Sequence, residues 1–361
     1  MSPPIHFATT SDGVRIAYIS IGKGFPLVFA SNIFGEATRY SGAFPAFPHV
    51  TEVTDRLAHL GWRVIRYDHR GMGASDRGVA DLSLEGRVRD LAAVVDALSL
   101  ERFALGGVDV GAATAIAYAV DHHAAVSRLV LLSPWASGAR WLEIPALRAA
   151  YSAQVSGEHE FRLFANILET VAAGFKDSEL VLRGTEALVR TTSPKALSAF
   201  TAATARIDIR DLLPRVTAPT LVTHEPAFPF GSFELCQEVA AGIPNAEFLI
   251  VKDNSLAGRV HDENVAAIDR FLRSGTATPT ISRGAVETVT PRCFDALTPR
   301  EIQVLRQVAD GATNKEIAAS LGVAVSTIER HLVNLYTKIG ARGRADAIAY
   351  ALRHGLDTPP V

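Results

Sequence analysis

Seven short apolar runs recur along the first 252 residues, and most of the gaps between them read as helix. "VRIAYIS" (14–20) alternates apolar and polar residues, as a strand with one wet face does. "PLVFAS" (26–31), "WRVIRYD" (62–68), "RFALGG" (102–107), "SRLVLLS" (127–133), "PTLVTH" (219–224) and "AEFLIVK" (246–252) are nearly continuous apolar runs, the pattern of strands buried on both faces. Helical periods lie between them, for example "SLEGRVRDLAAVVDALS" (83–99) and "GAATAIAYAVDHHAA" (111–125). This alternation predicts an α/β domain with a mainly parallel sheet covered by helices on both faces. Residues 134–213 break the rhythm: several helical patterns, no strand, and the aromatics Trp135, Trp141, Tyr151, Phe161, Phe164, Phe175 and Phe200. Placed above the carboxyl ends of the strands, such an insertion forms a helical lid. Its aromatics either make the lid's own core or line a pocket beneath it.

At 361 residues the chain favours more than one domain. Beyond Arg273 the composition turns to Ser, Thr, Gly and Pro without an apolar period, so 1–273 reads as one domain and 274–294 as a linker. Residues 295–361 then parse into four short helices. Thr298, Pro299 and Glu301 form a capping box with proline at N1. "TNKEIAASLG" is a second helix, closed by Gly322, and "VSTIERHLVNLYTKI" a third. On the third, Val325, Ile328, Leu332, Leu335 and Ile339 make one apolar stripe, opposite Glu329, Arg330, Val333 and Lys338. A short helix, a tight turn and a longer helix with a polar outer face make a helix-turn-helix. The net charge of −2 gives no general attraction to nucleic acid, so any such contact must be a local patch. Two cysteines, Cys236 and Cys293, supply no disulfide framework and suit a reducing compartment. "MSPPIHFATTSDG" has no basic segment followed by an apolar run, and no apolar stretch is long enough to span a bilayer. A cytoplasmic protein without a membrane contact is expected.

The C-terminal module resembles the LuxR-type DNA-binding domain. The resemblance rests on Leu297-Thr298-Pro299-Arg300-Glu301, Asn314-Lys315-Glu316-Ile317-Ala318, Thr327-Ile328, His331, Lys338 and Ala347. It implies a transcriptional regulator that binds a double-stranded DNA operator, usually as a homodimer. The third helix then enters the major groove, with Glu329, Arg330 and Val333 facing bases. Arg330 suits guanine and Glu329 suits cytosine N4. Thr313, Asn314, Lys315, Thr327, Lys338 and Arg342 are suited to phosphates, which set register. Glu329 stands where the family usually has lysine, and Ala324 where it has a hydroxyl N-cap, a bond typically worth ~1 kcal/mol. Residues 295–361 hold eight Lys and Arg against seven Asp and Glu, which makes monomer affinity weak and dimerisation important.

Residues 1–273 resemble the α/β-hydrolase fold through "YDHRGMGASD" (67–76), "GGVDVGAA" (106–113), "LPRVTAPTLVTHEP" and the closing "AAIDRFL". "GGVDVGAA" has the form of a nucleophile elbow with Asp109 at its tip and the Val110 N–H beside it. Some hydrolases of this fold, such as dehalogenases and epoxide hydrolases, use an aspartate there and a histidine to hydrolyse the resulting ester. The loop that delivers that histidine, "KDNSLAGR" (252–259), has none, with Leu256 near its place; the acid position falls near Phe228, and the first oxyanion loop reads Ser31-Asn32.

The resemblance therefore implies a catalytically degenerate domain that senses a small, largely apolar effector through Asp109, Val110, Ser31, Asn32, Trp135 and Trp141. In that reading Asp109, near helix N–H groups, stays ionised. Two alternatives stay open. One is an active hydrolase using Asp109 with His261 and Glu225, if the loops bring them together. The other is a domain that serves only as a dimerisation platform. No cofactor or metal is implied.

Overall fold

A single eight-stranded sheet organises the N-terminal part of the computed structural model, which describes residues 3–30, 48–152, 158–172, 178–226, 228–251, 260–274, 299–309, 312–325, 327, 328, 331, 332, 335 and 347. Its strands are β1 (His6–Thr9), β2 (Arg15–Ile21), β3 (Pro26–Ala30), β4 (Arg63–Tyr67), β5 (Phe103–Val108), β6 (Val126–Leu132), β7 (Thr220–His224) and β8 (Glu247–Ile250). They lie in the order β1-β2-β4-β3-β5-β6-β7-β8. β1 and β2 are antiparallel to their neighbours; every pairing from β4 to β8 is parallel. The seven apolar runs form β2 to β8. "AEFLIVK" departs from its expected burial on both faces: Glu247 and Ile250 are exposed, because only β7 flanks this edge strand.

The helices of this part are α1 (Pro48–His59), α2 (Leu84–Ala97), α3 (Val110–Asp121), α4 (Gly138–Leu142), α5 (Pro145–Ser152), α6 (Glu158–Ala172), α7 (Ser178–Thr191), α8 (Pro194–Ala205), α9 (Phe233–Gly242) and α10 (Asp262–Arg273). Strand alternation sorts them into two layers. Leu27, Val64, Ala104, Val130 and Leu221 pack against Val53 and Leu57 of α1 and Val265 and Ile268 of α10. Their neighbours Val28, Ile65, Leu105, Leu129 and Val222 face α2, α3 and α9, in a core that continues into the helical insertion through Trp135, Phe164, Leu168 and Phe200. That insertion, between β6 and β7, holds α4 to α8 and a 3-10 turn, Arg210–Arg215.

"YDHRGMGASD" is a structural clasp. The Asp68 carboxylate accepts from Ala74 N at 2.9 Å, and Ser75 Oγ donates to Asp68 O while accepting from Ala17 N. Arg70 is buried and donates through N and Nε to the equally buried Asp90, at 2.9 and 2.7 Å. Two more of its bonds reach Asp12, at 2.8 and 3.0 Å. The end of β4 is thereby tied to β2, the β1–β2 turn and α2.

The chain divides into two compact units, Met1–Pro279 and Thr280–Val361. Apart from Ser274, the expected linker 274–294 lies outside the described residues. In the second unit, α11 (Pro299–Ala309) and α12 (Asn314–Leu321) are followed by helical residues at Val325, Thr327, Ile328, His331, Leu332 and Leu335. Val304, Leu305, Val308, Ile317, Ile328, Leu332, Leu335 and Ala347 close a separate small core. Thr298 and Ile339 lie outside the described residues.

Asp90→Ala takes the acceptor from Arg70 N and Nε, while Asp12 still holds the outer guanidinium nitrogens. It is therefore expected to destabilise the first unit by about 1–3 kcal/mol. Urea unfolding followed by tryptophan fluorescence measures this cleanly, because Trp62, Trp135 and Trp141, the chain's three tryptophans, all lie in that unit.

Candidate functional sites

β5 runs straight into α3 through Asp109, which holds φ 50° and ψ −121°, a conformation that a non-glycine residue adopts only under constraint. The constraint is packing. A Cβ on Gly107 would stand 2.5 Å from Gly111 O and 2.7 Å from Ala112 N, and one on Gly106 would run into the Phe29 ring. Asp109 N donates to Leu132 O at 3.4 Å, and its own carbonyl accepts from Ala112 N at 3.0 Å. The turn thus presents the side chain at the carboxyl ends of the central strands. Val110 N–H is the first of the helix.

The Asp109 carboxyl is buried, and its Oδ1 has no hydrogen-bond partner among the described residues. Nor does it cap α3. Burial, uncompensated by any charge among the described residues, pushes it up to about 8. This corrects the expectation of an ionised Asp109: desolvation outweighs the nearby helix N-terminus. Cys236 of α9 lies within electrostatic reach; burial first, and then the Asp109 charge, push its thiol up to about 12. Trp135, wholly buried, stacks on Trp141 with ring centroids 5.5 Å apart. Trp141 Nε1 donates to Phe230 O at 3.1 Å, whereas Trp135 Nε1 has no partner among the described residues. Ser31, Asn32, Leu256 and the loop 252–259 lie outside the described residues. Phe228, at the expected acid position, is a buried ring set edge-on to Phe230.

The structure does not join Asp109, His261 and Glu225. His261 is an exposed residue at the N-cap of α10. Its segment is clamped to α1: Val260 N donates to Glu52 at 3.2 Å, Arg56 donates to Val260 O at 2.7 Å, and Arg56 pairs with Asp262. Glu225 is buried on the wall of a cavity of about 30 Å³, with Val108, Ser133, Thr223 and Asn264, room for about one water. Neither side chain bonds to the Asp109 carboxyl.

Two features escape sequence reasoning. Glu169 of α6 is fully buried, both its oxygens are unpartnered among the described residues, and burial pushes it up to about 8. Gly184 of α7 makes the room, since a Cβ there would run into Glu169 Oε2. Cys236 is the other. Both placements come from contacts distant in sequence, for which no local pattern exists.

In the second unit, Gly322 at φ 64° ends α12, and Val323 N donates to Ala318 O at 3.0 Å, a Schellman closure. Thr313 opens the same helix. Its N–H and hydroxyl both donate to Glu316, at 2.7 and 2.8 Å, and its hydroxyl accepts from Glu316 N at 3.4 Å. The signature Thr-x-x-Glu is legible in the sequence. It engages both donors that Thr313 would offer a phosphate. Asn314 and Thr327 are half-buried. Glu329, Arg330, Val333, Lys338 and Arg342, and the side chain of Lys315, lie outside the described residues.

Residues 295–351 match the family model of bacterial regulatory proteins, luxR family, and residues 43–175 that of the alpha/beta hydrolase fold. The chain joins an N-terminal domain of the α/β-hydrolase fold to a C-terminal LuxR-type helix-turn-helix. It is 38% identical over 99 residues to the transcriptional regulatory protein MctR of Rhizobium johnstonii, covering 26% of the chain and 45% of MctR. It is 27% identical over 171 residues to the uncharacterized transcriptional regulatory protein YxjL of Bacillus subtilis, covering 40% of the chain and 78% of YxjL. It thus spans less than half the length of MctR, and 26% of the response regulator Rre1 of Synechocystis. Among solved structures it is similar to Est816, described as an N-acyl homoserine lactone degrading enzyme, with a TM-score of 0.57 and 25% identity over 74% of the chain and 99% of Est816. A hydrolase from Pseudomonas aeruginosa matches with a TM-score of 0.56 and 24% identity, over 76% of the chain and 98% of that protein. No helix among the described residues is long and apolar enough to cross a membrane.

A buried acid that keeps its proton to about pH 8 when folded, but loses it near 3.8 when unfolded, makes stability fall as pH rises between those values. Asp109→Asn has no proton to lose there. Its stability advantage over the wild type is expected to grow from pH 5 to pH 8, by up to about 1.4 kcal/mol per pH unit. Urea midpoints at the two pH values measure it; a difference that does not change with pH would show that the carboxyl is ionised in the folded protein.

Proposed function

We propose that this LuxR-type protein is a one-component transcriptional regulator whose hydrolase-fold domain senses a small, largely apolar effector instead of turning it over. The observation that carries the reading is the solitary Asp109: an elbow carboxyl, buried, with no partner for its Oδ1 and no histidine bonded to it among the described residues. Ester formation by an aspartate needs an imidazole to activate the water that releases the product. His261 is clamped elsewhere, and Glu225 faces a cavity the size of a water.

In this reading the helical insertion is a lid, and Asp109, Val110, Ser31, Asn32, Trp135 and Trp141 are the proposed contacts of the effector. As a neutral acid, Asp109 donates one hydrogen bond and accepts another, and Trp135 Nε1 donates a third. Regulation requires the effector to bind two states of the protein unequally. The output is the binding of paired helix-turn-helix modules to an operator, with Arg330 and Glu329 reading bases and Lys338 and Arg342 holding phosphates.

Incubation with esters, epoxides and haloalkanes tests the reading directly. No turnover is expected; multiple turnover abolished in both Asp109→Asn and His261→Ala would overturn it in favour of a hydrolase. On the DNA side, duplexes selected from a random library by the wild type are expected to lose their advantage over unselected duplexes in Arg330→Ala. Lys338→Ala is expected to weaken all sequences alike and to lower the slope of log affinity against log salt by about one.

A further inference from the structure

Glu169 sits between two helices of the insertion. Its own helix, α6, packs antiparallel against α7: Arg162 pairs with Glu186, Asn166 Nδ2 donates to Thr185 Oγ1 at 3.4 Å, and Glu169 lies against Gly184. The carboxyl is wholly buried, and neither oxygen has a hydrogen-bond partner among the described residues. The Gly184 backbone closes on it, since a Cβ there would run into Oε2. The inner faces of the pair, Phe164, Ala165 and Leu168 of α6 with Ala187 and Leu188 of α7, belong to the same core as Trp135 and Trp141.

Among the described residues, no charge compensates this carboxyl. Arg162 and Glu186 bond each other at the surface. Glu179, Arg183 and Arg190 of α7 and Arg148 of α5, the other helix packed against α6, are exposed as well. So is Arg77, which reaches Arg190 O at 3.3 Å. The Thr185 hydroxyl, next to Gly184, donates to Val181 O at 2.8 Å instead. Burial alone pushes Glu169 up to about 8. A carboxylate buried without a counter-ion is far costlier than a neutral acid. Close packing and ionisation therefore exclude each other: the pair closes on the acid, and the carboxylate needs water that only a parted pair admits.

We propose that α6 and α7 form a proton-operated latch in the helical insertion, held shut by the protonated Glu169 carboxyl against Gly184 and parted when that carboxyl ionises. The latch goes beyond the sensing reading and works whether or not an effector binds. In the parted pair Glu169 titrates near the ordinary 4.5, and in the closed pair near 8. The closed pair thus keeps a proton that the parted pair gives up, so closure is strongest at low pH. It loses ground by up to about tenfold per pH unit as pH rises toward 8, and levels off above that. The effect reaches Trp135 and Trp141, because the pair completes their core.

Hydrogen exchange of the full chain, followed by mass spectrometry from pH 6 to pH 9, tests it. The readout is the ratio of observed to intrinsic exchange rate, which measures local opening. For peptides from α6 and α7 this ratio is expected to rise by up to about tenfold per pH unit between pH 6 and pH 8. Glu169→Gln, close in shape to the neutral acid, is expected to remove the rise. Glu169→Met, which buries neither a charge nor an amide, is expected to do the same, and serves if the glutamine itself loosens the pair. Asp109→Asn is expected to leave the rise in place, which separates the latch from the elbow acid. A wild-type ratio that does not change with pH, or a rise that persists in both Glu169 variants, would overturn the inference. So would a rise abolished by Asp109→Asn.

Discussion

The turn at Asp109 is the constraint on which the first unit is built. A strand that passes directly into a helix must reverse its hydrogen-bonding direction within one residue, and here that residue sits at φ 50°. Of order 1–3 kcal/mol of strain is stored there, held in place by the contacts around it. Those contacts come from Gly107 against Gly111 and from Gly106 under the Phe29 ring. Because α3 enters the fold at this point, the turn also decides that the Asp109 side chain ends up inside. The chemistry of the site follows: with no counter-charge among the described residues, the carboxyl is a neutral hydrogen-bonding group.

Polar groups in this unit fall into two populations. Asp68, Arg70, Ser75 and Asp90 are buried, and their bonds are made with one another, with Asp12 and with the backbone. They clasp β4 and α2, and nothing about them calls for a ligand. Asp109 Oδ1, Trp135 Nε1, Tyr67 Oη and Arg87 Nη1 are buried without partners among the described residues. Each such atom costs on the order of 1–3 kcal/mol. Folding alone would select apolar side chains at these positions, so retaining them is consistent with a third party that completes their bonds. Glu169 belongs to the same population but lies between two helices of the insertion, where Gly184 seals it.

Much of the fold was legible because apolar periodicity is a local signal. The seven runs became strands, and the helix-turn-helix stripe of Val325, Ile328, Leu332 and Leu335 packs into one core. β1 was not legible, since the four residues "HFAT" are too few to show a period. Edge position misled the reading of β8, because hydropathy does not say how many neighbours a strand has. Asp109 could be placed but not titrated: the helix N-terminus beside it is local and visible, while the desolvation that dominates comes from the whole fold. Arg87 and Phe200, far apart in the chain, carry no motif at all; only the packing of α2 against α8 brings them together.

The titration of Asp109 bears on why an elbow of this kind suits sensing. Attack on an ester or halide requires the carboxylate. With its ionisation pushed up to about 8, roughly a tenth of the molecules carry that form at neutral pH. In the proposed sensing reading, any that did react would form an ester with no imidazole bonded beside it among the described residues. A protonated acid has the opposite virtues. It binds a neutral ligand without a desolvated charge to compensate, and it releases that ligand unchanged, which makes occupancy follow concentration in both directions. Reversible occupancy is what a transcriptional switch needs, and covalent capture would defeat it.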